Sequence, residues 1–420
     1  MLHTISLDGF RCFGAPTRVT FGALTLLAGA NSAGKSSVIH ALLSLVQSER
    51  QPRPGHLRLS GEWVEIGSFE QALNYSRQGE QRKFTIGVSG TINDIDTDVV
   101  LTLGEPDESL TDAAVIERIE TCVGDTEVAF QANSELPEPA YMMLFRDDPA
   151  SPWKEFGNYN KNYYPWSFGS SAIAGMAKTK HRRLIPYDPE STLYLSAFRD
   201  LPRAFYPQRR SDLGPLLGAM GEHVAETLFE RRNTAIDILP GEGPPRLLGS
   251  ALEAWWSHIF GGDYSIRAEA AGKDLGYALS LDTPSAESLK LTQVGTGLSQ
   301  ALPVIVLGLC SKPGDLVIVE SPEVQLHPAA QHRLMDLFVA LARSGRQVIL
   351  ETHSDHIIHA AQLSVKDKRL LREQISMQFF SQEEGAAQVE RVPVDEHGRM
   401  QKQPIGFVDQ ATADLLELVR

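Results

Sequence analysis

Apolar positions along the chain change rhythm several times, and each rhythm predicts a kind of element. Met1 to Gly29 alternates like two or three strands, with Leu2, Ile5 and Leu7 and then Val19, Phe21 and Leu24 facing inward. The run Leu24-Thr25-Leu26-Leu27-Ala28 then passes, through a short polar loop, into a helix-forming stretch from Val38 to Val46. From Arg82 to Phe130 short strands return at Phe84 to Val88, Thr97 to Leu103 and Glu127 to Ala129, with turn signals at Gly90, Asn93 and Gly104. That pattern predicts an antiparallel meander. Residues 137–190 change character, with Pro137, Pro139, Pro149, Pro152 and Pro165 around Trp153, Tyr159, Tyr163, Tyr164 and Trp166, and predict an irregular segment.

Helical spacing follows in Ser211 to Arg232, through Leu213, Leu216, Leu217 and Met220, and in Leu247 to Ile259, through Leu252, Trp255, Trp256 and Ile259. Leu316-Val317-Ile318-Val319 and Gln347 to Glu351 are unbroken apolar runs of the kind that strands of a buried parallel sheet carry. Ile375 to Val394 reads as a hairpin turning at Gly385, and Phe407 to Arg420 as a closing helix. No heptad pattern runs far enough for long coiled-coil arms. Together these rhythms predict an α/β chain in three stretches, 1–104, 105–290 and 291–420, the middle one an insertion lobe.

Composition narrows the class. The 420 residues are 42% hydrophobic and 22% charged, as in a globular protein with a large core. Neither a leader pattern at Met1 to Phe10 nor an apolar run of membrane-spanning length is present, which predicts a cytoplasmic location and no membrane partner. Cys12, Cys122 and Cys310 stand far apart and suggest neither a disulfide framework nor a zinc site. A net charge of −14 works against nucleic-acid binding unless a local patch overrides it. Two segments offer such a patch: His181-Arg182-Arg183, and Arg199 to Arg210, where Arg199, Arg203, Arg209 and Arg210 alternate with Phe198, Phe205 and Tyr206. An arginine–aromatic mixture can grip a single strand, and it can equally be a solvated or ion-paired surface.

The chemistry concentrates in two places. Gly29-Ala30-Asn31-Ser32-Ala33-Gly34-Lys35-Ser36 stands between a strand and a helix, which is the context a phosphate loop requires. Asn31, Ser32, Ala33, Gly34, Lys35, Ser36 and Ser37 are therefore the candidate contacts to a nucleoside triphosphate. Lys35 would reach the β- and γ-phosphates, and the Ser36 hydroxyl would hold Mg²⁺. Far downstream, Gly295-Thr296-Gly297-Leu298-Ser299-Gln300 opens an apolar helix, and a glycine-rich helix start is an anion site in its own right. Thr296, Gly297 and Ser299 are its candidate contacts. Glu320 ends a predicted strand where a carboxylate can join the Mg²⁺ shell, and His353 follows another strand, where it can sense a γ-phosphate or an attacking water.

Phosphate loop, glycine-rich helix start, strand-end acid and strand-end histidine occur here in the order seen in ABC-type ATPases. The chain resembles the OLD-like AAA ATPases, relatives of the SMC and double-strand-break-repair ATPases that are common in bacterial defence systems. The matching residues are Ile5-Ser6-Leu7-Asp8-Gly9-Phe10-Arg11-Cys12-Phe13, the loop at 29–36, Gly67-Ser68-Phe69, Leu195-Ser196-Ala197-Phe198-Arg199 and Gly295 to Gln300. Glu320-Ser321-Pro322-Glu323-Val324-Gln325-Leu326-His327-Pro328 and Glu351-Thr352-His353-Ser354-Asp355-His356 continue it. Pro404-Ile405-Gly406-Phe407-Val408-Asp409-Gln410 resembles the close of one subgroup without an assigned function.

The resemblance implies an ABC-type P-loop NTPase fold, with a mixed sheet and a helical and β insertion lobe, that takes ATP and Mg²⁺. It further implies a head-to-tail dimer or higher oligomer, in which ATP lies between Lys35 of one copy and the Thr296-Gly297 turn of another. Glu320 takes the Mg²⁺-side acidic position and His353 that of the switch histidine. Many relatives place a water-activating glutamate directly after the first acid, where this chain has Ser321, a poor base at neutral pH. Glu323 is the natural substitute or else a structural acid on the loop. Gln71, after Gly67-Ser68-Phe69, and Gln47, on the first helix, compete for the part of the glutamine that links Mg²⁺ to the moving lobe.

OLD-type nucleases carry a nuclease domain after the ATPase, and fewer than seventy residues follow His353, too few for one. With net charge and the missing coiled-coil arms, the resemblance therefore implies an ATPase sensor or scaffold that governs a separate effector, such as a nuclease encoded nearby, in a bacterial defence system of the type in which Septu, PARIS and retron ATPases act. Direct DNA clamping in repair or recombination, and a nucleotide-gated scaffold that scarcely hydrolyses ATP, are the alternatives.

Overall fold

The computed structural model describes the chain except residues 51–52, 54, 78–81, 93–94, 108–109, 124–125, 134–139, 147–153, 161–184, 210–213, 273–275, 284, 384, 403, 405–416 and 418–420. The His181-Arg182-Arg183 segment, Arg210, most of the proline–aromatic cluster and the closing motif from Ile405 lie outside the described residues. The chain divides into two compact units. One comprises Met1–Phe21, Asn31–Ser191 and Phe380–Val389, the other Gly22–Ala30, Thr192–Phe379 and Glu390–Arg420.

The first unit is built on an antiparallel sheet. Its strands run in the order Lys154–Asn160, Ala140–Arg146, Thr126–Asn133, Ala113–Val123, Ile95–Gly104, Lys83–Ile92, Leu2–Asp8 and Thr17–Thr20, with His56–Arg58 paired to Ala113–Val123. Alternation explains the inner face: Ile5 and Leu7, Phe84, Ile86 and Val88, and Val99, Leu101 and Leu103 are all buried. The expected meander is present but longer. Gly90 does not turn the chain. It lies inside a strand, where a Cβ would come within 2.3 Å of the Met1 carbonyl, so it allows close backbone approach. Two further strands, Ala140–Arg146 and Lys154–Asn160, extend the sheet into the stretch expected to be irregular. Prolines on either side hid them; pairing of Ala140–Arg146 with the edge of Thr126–Asn133, and of Lys154–Asn160 with Ala140–Arg146, supplies what local pattern did not. The helix Lys35–Arg50 packs in this unit on Leu2–Asp8 and His56–Arg58.

The second unit holds the four mutually parallel strands Thr192–Leu195, Leu316–Glu320, Gln347–Glu351 and Leu24–Gly29, in that order. Ile375–Glu383 and Ala386–Arg391 follow in the same sheet. Leu316–Glu320 and Gln347–Glu351 are buried at every residue, as strands covered on both faces must be. The helices Thr296–Cys310, Pro328–Arg343, Asp355–Lys366 and Leu248–Phe260 share one apolar cluster with these strands.

The Leu-His-Pro sequence is explained locally. His327 caps the helix Pro328–Arg343 through Nδ1, which accepts the Ala329 N–H at 3.3 Å, and Pro328 takes the first helical position. The expected helix from Ser211 to Arg232 is reduced to Val224–Glu230, because Gly218 and Gly221 adopt φ of 75° and 80°, which a helix cannot contain. No described helix is long and apolar enough to cross a membrane. The α/β fold class with a P-loop that the sequence predicted is the one observed.

Candidate ATP site

In the first unit the phosphate loop leads into the helix at Lys35. Asn31 and Ser32 are exposed, Ala33 and Gly34 buried, Lys35 buried, Ser36 half-buried and Ser37 buried. Ser32 has φ 60° and Gly34 φ 104°, left-handed angles of the kind that curl successive N–H groups into an anion-binding concavity. Gly34 must be glycine for a second reason: a Cβ there would lie 2.7 Å from Cys12 Sγ and 2.8 Å from Phe13 Cζ. Arg11 is placed beside the same helix by a 2.8 Å contact from its Nη1 to His40 Nδ1, and burial together with that cation pushes His40 down to about 4, so the ring is neutral.

The two candidate glutamines differ. Gln47 is fully buried, with Nε2 donating to the Arg58 carbonyl at 2.9 Å and Oε1 accepting the Val64 N–H at 3.2 Å. Gln71 is exposed and closes a capping box, its Oε1 accepting the Ser68 N–H at 2.8 Å.

In the second unit three strand ends coincide. Leu27 is in register with Glu351, and Glu351 with Glu320, so the residues that open the phosphate loop, Gly29 and Ala30, leave the sheet at the edge that carries the two carboxylates. This is the carboxyl edge, where open parallel sheets bind ligands. Glu320 is 6% exposed and Oε1 accepts the Tyr194 hydroxyl at 2.9 Å. Burial, reinforced by the neighbouring Glu351 charge, pushes the Glu320 carboxyl up to about 7.

Arg199 is 8% exposed and spans the following turn, with Nη2 donating to the Glu320 carbonyl at 2.7 Å and both Nη atoms to the Ser321 carbonyl at 3.1 Å. Burial lowers its guanidinium to about 10, still charged at neutral pH. Ser321 has φ 42°, and its N–H donates to the Glu351 carbonyl at 2.7 Å. Glu323 is 9% exposed. Its Oε1 accepts the His353 main-chain N–H at 2.9 Å, Oε2 is buried without a hydrogen-bond partner, and burial raises the carboxyl above the usual range. The His353 ring is exposed.

Thr296 starts the helix Thr296–Cys310 exposed, with Gly295 as cap and no side-chain cap bond. Ser299 is buried, and its hydroxyl donates to the Thr296 carbonyl at 2.9 Å. A Cβ on Gly297 would meet the Gln325 carbonyl at 2.5 Å, so this helix start packs directly on the turn that carries Glu323.

Tyr194 was not visible as a site residue in the sequence, and Arg199 was visible only as part of a basic segment. That segment is not one surface: Arg199 is buried, Arg203 pairs with Asp200 at 2.7 Å, and Tyr206 is buried. The residues present suit Mg²⁺ and a polyphosphate. Buried neighbouring carboxylates favour a cation, and Mg²⁺ in phosphate sites takes only one or two of them.

Residues 24–359 match the family model described as "AAA domain, putative AbiEii toxin, Type IV TA system". The chain belongs to this AAA-domain family. Residues 371–418 of this AAA-domain chain also match a family described as a protein of unknown function, DUF3696. No curated protein matches it. Among solved structures it is similar to the SMC head domain from Thermotoga maritima, at 13% identity over 94% of this chain and 99% of that one, with a TM-score of 0.40. An Smc head bound to the C-terminal winged-helix domain of ScpA matches at 12% identity over 94% and 98% of the two chains, with a TM-score of 0.48. The Smc head domain from Pyrococcus furiosus with an extended coiled coil, bound to the C-terminal domain of ScpA, matches at 10% identity over 100% and 99%, with a TM-score of 0.43.

Proposed function

We propose that this AAA-domain protein hydrolyses ATP at a site completed by a second copy of itself, and that the ATP-bound assembly holds or releases a separate effector in a bacterial anti-phage system. The observation that carries the ATPase half is the carboxyl edge of the parallel sheet, where Glu320 and Glu351 stand beside the strand that feeds the phosphate loop. Lys35 would bind the β- and γ-phosphates, and Ser36, Glu320 and Gln71 would hold Mg²⁺. Bound there, Mg²⁺ neutralises phosphate charge. Glu323 accepts the proton of the attacking water, a role suited to a buried carboxyl whose proton affinity burial raises above the usual range. His353 follows the γ-phosphate from the adjacent strand end.

Self-association rests on the exposed helix start at Gly295 and Thr296, whose side-chain caps are missing and whose dipole favours an anion from outside. The effector reading draws on the toxin–antitoxin wording of the family description and on the net charge of −14, which disfavours direct DNA clamping. The described part of the arginine–aromatic segment is also buried or ion-paired at Arg199 and Arg203.

Mass measurement of the chain, alone and co-purified with the product of the adjacent gene, tests both halves. A larger assembly in ATP, lost in Lys35→Ala, is the expected result, and a monomer in saturating ATP refutes the composite site. Hydrolysis that rises on adding DNA, with steep salt dependence, would favour a DNA-clamping ATPase instead.

A further inference from the structure

The segment after the strand Thr192–Leu195 carries a side chain whose bonding is unusual for an arginine near acids. Arg199 directs its Nη atoms to main-chain carbonyls, those of Glu320 and Ser321, and these carbonyls flank the peptide at which the chain leaves the strand. At that point Ser321 adopts a left-handed φ of 42°, an angle that costs a non-glycine residue energy and persists only where its surroundings impose it. Two anchors impose it. The Ser321 N–H is held by the Glu351 carbonyl, and the Ser321 carbonyl by the guanidinium. The turn continues through a Val324 N–H to Ser321 carbonyl bond of 3.3 Å and brings Glu323 to the His353 N–H.

We infer that Arg199 is a positioning residue for ATP hydrolysis: its planar guanidinium fixes the Ser321 turn and thereby sets where the Glu323 and Glu320 carboxylates stand. The inference rests on the hydrolytic reading above. Guanidinium geometry is essential to it, because two forked nitrogens bridge two successive carbonyls, and an ammonium group, a point donor on a flexible stem, cannot hold both in one plane. A misplacement of about 1 Å at a catalytic group is enough to slow chemistry about a hundredfold. Ground-state binding of ATP, by contrast, falls mainly on the phosphate loop.

The experiment compares wild type, Arg199→Lys and Arg199→Ala by steady-state hydrolysis, by binding of a fluorescent ATP analogue and by amide hydrogen exchange. In Arg199→Lys we expect kcat to fall about tenfold or more with analogue affinity unchanged, and exchange to quicken at residues 321–326 but not along Leu24–Gly29. In Arg199→Ala, millimolar guanidinium restores a large part of kcat. Wild-type kcat and wild-type exchange in Arg199→Lys would overturn the inference, and so would losses of affinity and thermal stability that guanidinium does not repair. A wild-type chain that binds ATP without hydrolysing it would defeat the hydrolytic reading alone. The exchange comparison then still decides whether Arg199 fixes the turn.

Discussion

Glu323 Oε1 accepts the main-chain N–H of His353 at 2.9 Å, which ties the loop after one parallel strand to the end of the next. Glutamine keeps that acceptor but cannot take a proton. Glu323→Gln should therefore fold and bind ATP normally while its single-turnover hydrolysis drops by about 10²–10⁴-fold. An unchanged rate would leave Glu323 as a structural acid of the loop.

A second prediction concerns stability and pH. The folded-state value of about 7 for Glu320 lies above that of an exposed glutamate, so the folded chain retains a proton that the unfolded chain gives up. Its stabilising contribution is complete below about pH 4.5 and is lost as pH rises through about 7. Glu320→Gln mimics the protonated form. In metal-free solution it should gain stability over wild type as pH rises from 5 to 8, by about 2–3 kcal/mol at the upper end. Thermal melts at several pH values check this, and a difference independent of pH would contradict it.

Tyr194→Phe removes the hydroxyl donated to Glu320 Oε1 and leaves that oxygen buried without its partner. The expected cost is about 1–2 kcal/mol in denaturant unfolding. The same change moves the Glu320 titration upward, since the hydroxyl favoured the charged form. The pH at which the Glu320→Gln difference levels off should accordingly be higher, and its plateau larger, in the Tyr194→Phe background.

Lys35→Ala should weaken ATP binding about 10–100-fold, the value of a charge-assisted hydrogen bond to phosphate, and abolish any ATP-dependent mass increase. Gly297→Ala should behave differently. Its methyl would press on the Gln325 carbonyl, a backbone atom with no rotamer to yield, at a cost of about 1–3 kcal/mol. Titration of the fluorescent analogue should find the Gly297→Ala phosphate loop still competent, with the loss falling on assembly.

Much of this was legible in the sequence because it is local. A phosphate loop is one continuous segment whose glycine, lysine and serine each have a stated job, and Leu316 to Glu320 announces a buried strand by composition alone. What was not legible comes from pairing between distant segments. Tyr194 reaches Glu320 only because Thr192–Leu195 lies parallel to Leu316–Val319, more than a hundred residues away in sequence. Arg199 looked like part of a basic surface because sequence gives charge but not burial. The strands at Ala140–Arg146 and Lys154–Asn160 owe their existence to an open sheet edge rather than to their own pattern.

The approach of Gly297 to the Gln325 carbonyl has a mechanical meaning. Contacts between side chains have slack, because a rotamer can change and absorb a displacement before anything else moves. Here an α-carbon meets a carbonyl oxygen across the gap that an absent methyl leaves. A push on the helix start at Thr296 has no side chain in which to dissipate, and the peptide two residues after Glu323 must move with it. Touch at the surface and geometry at the acid are, for this chain, the same displacement.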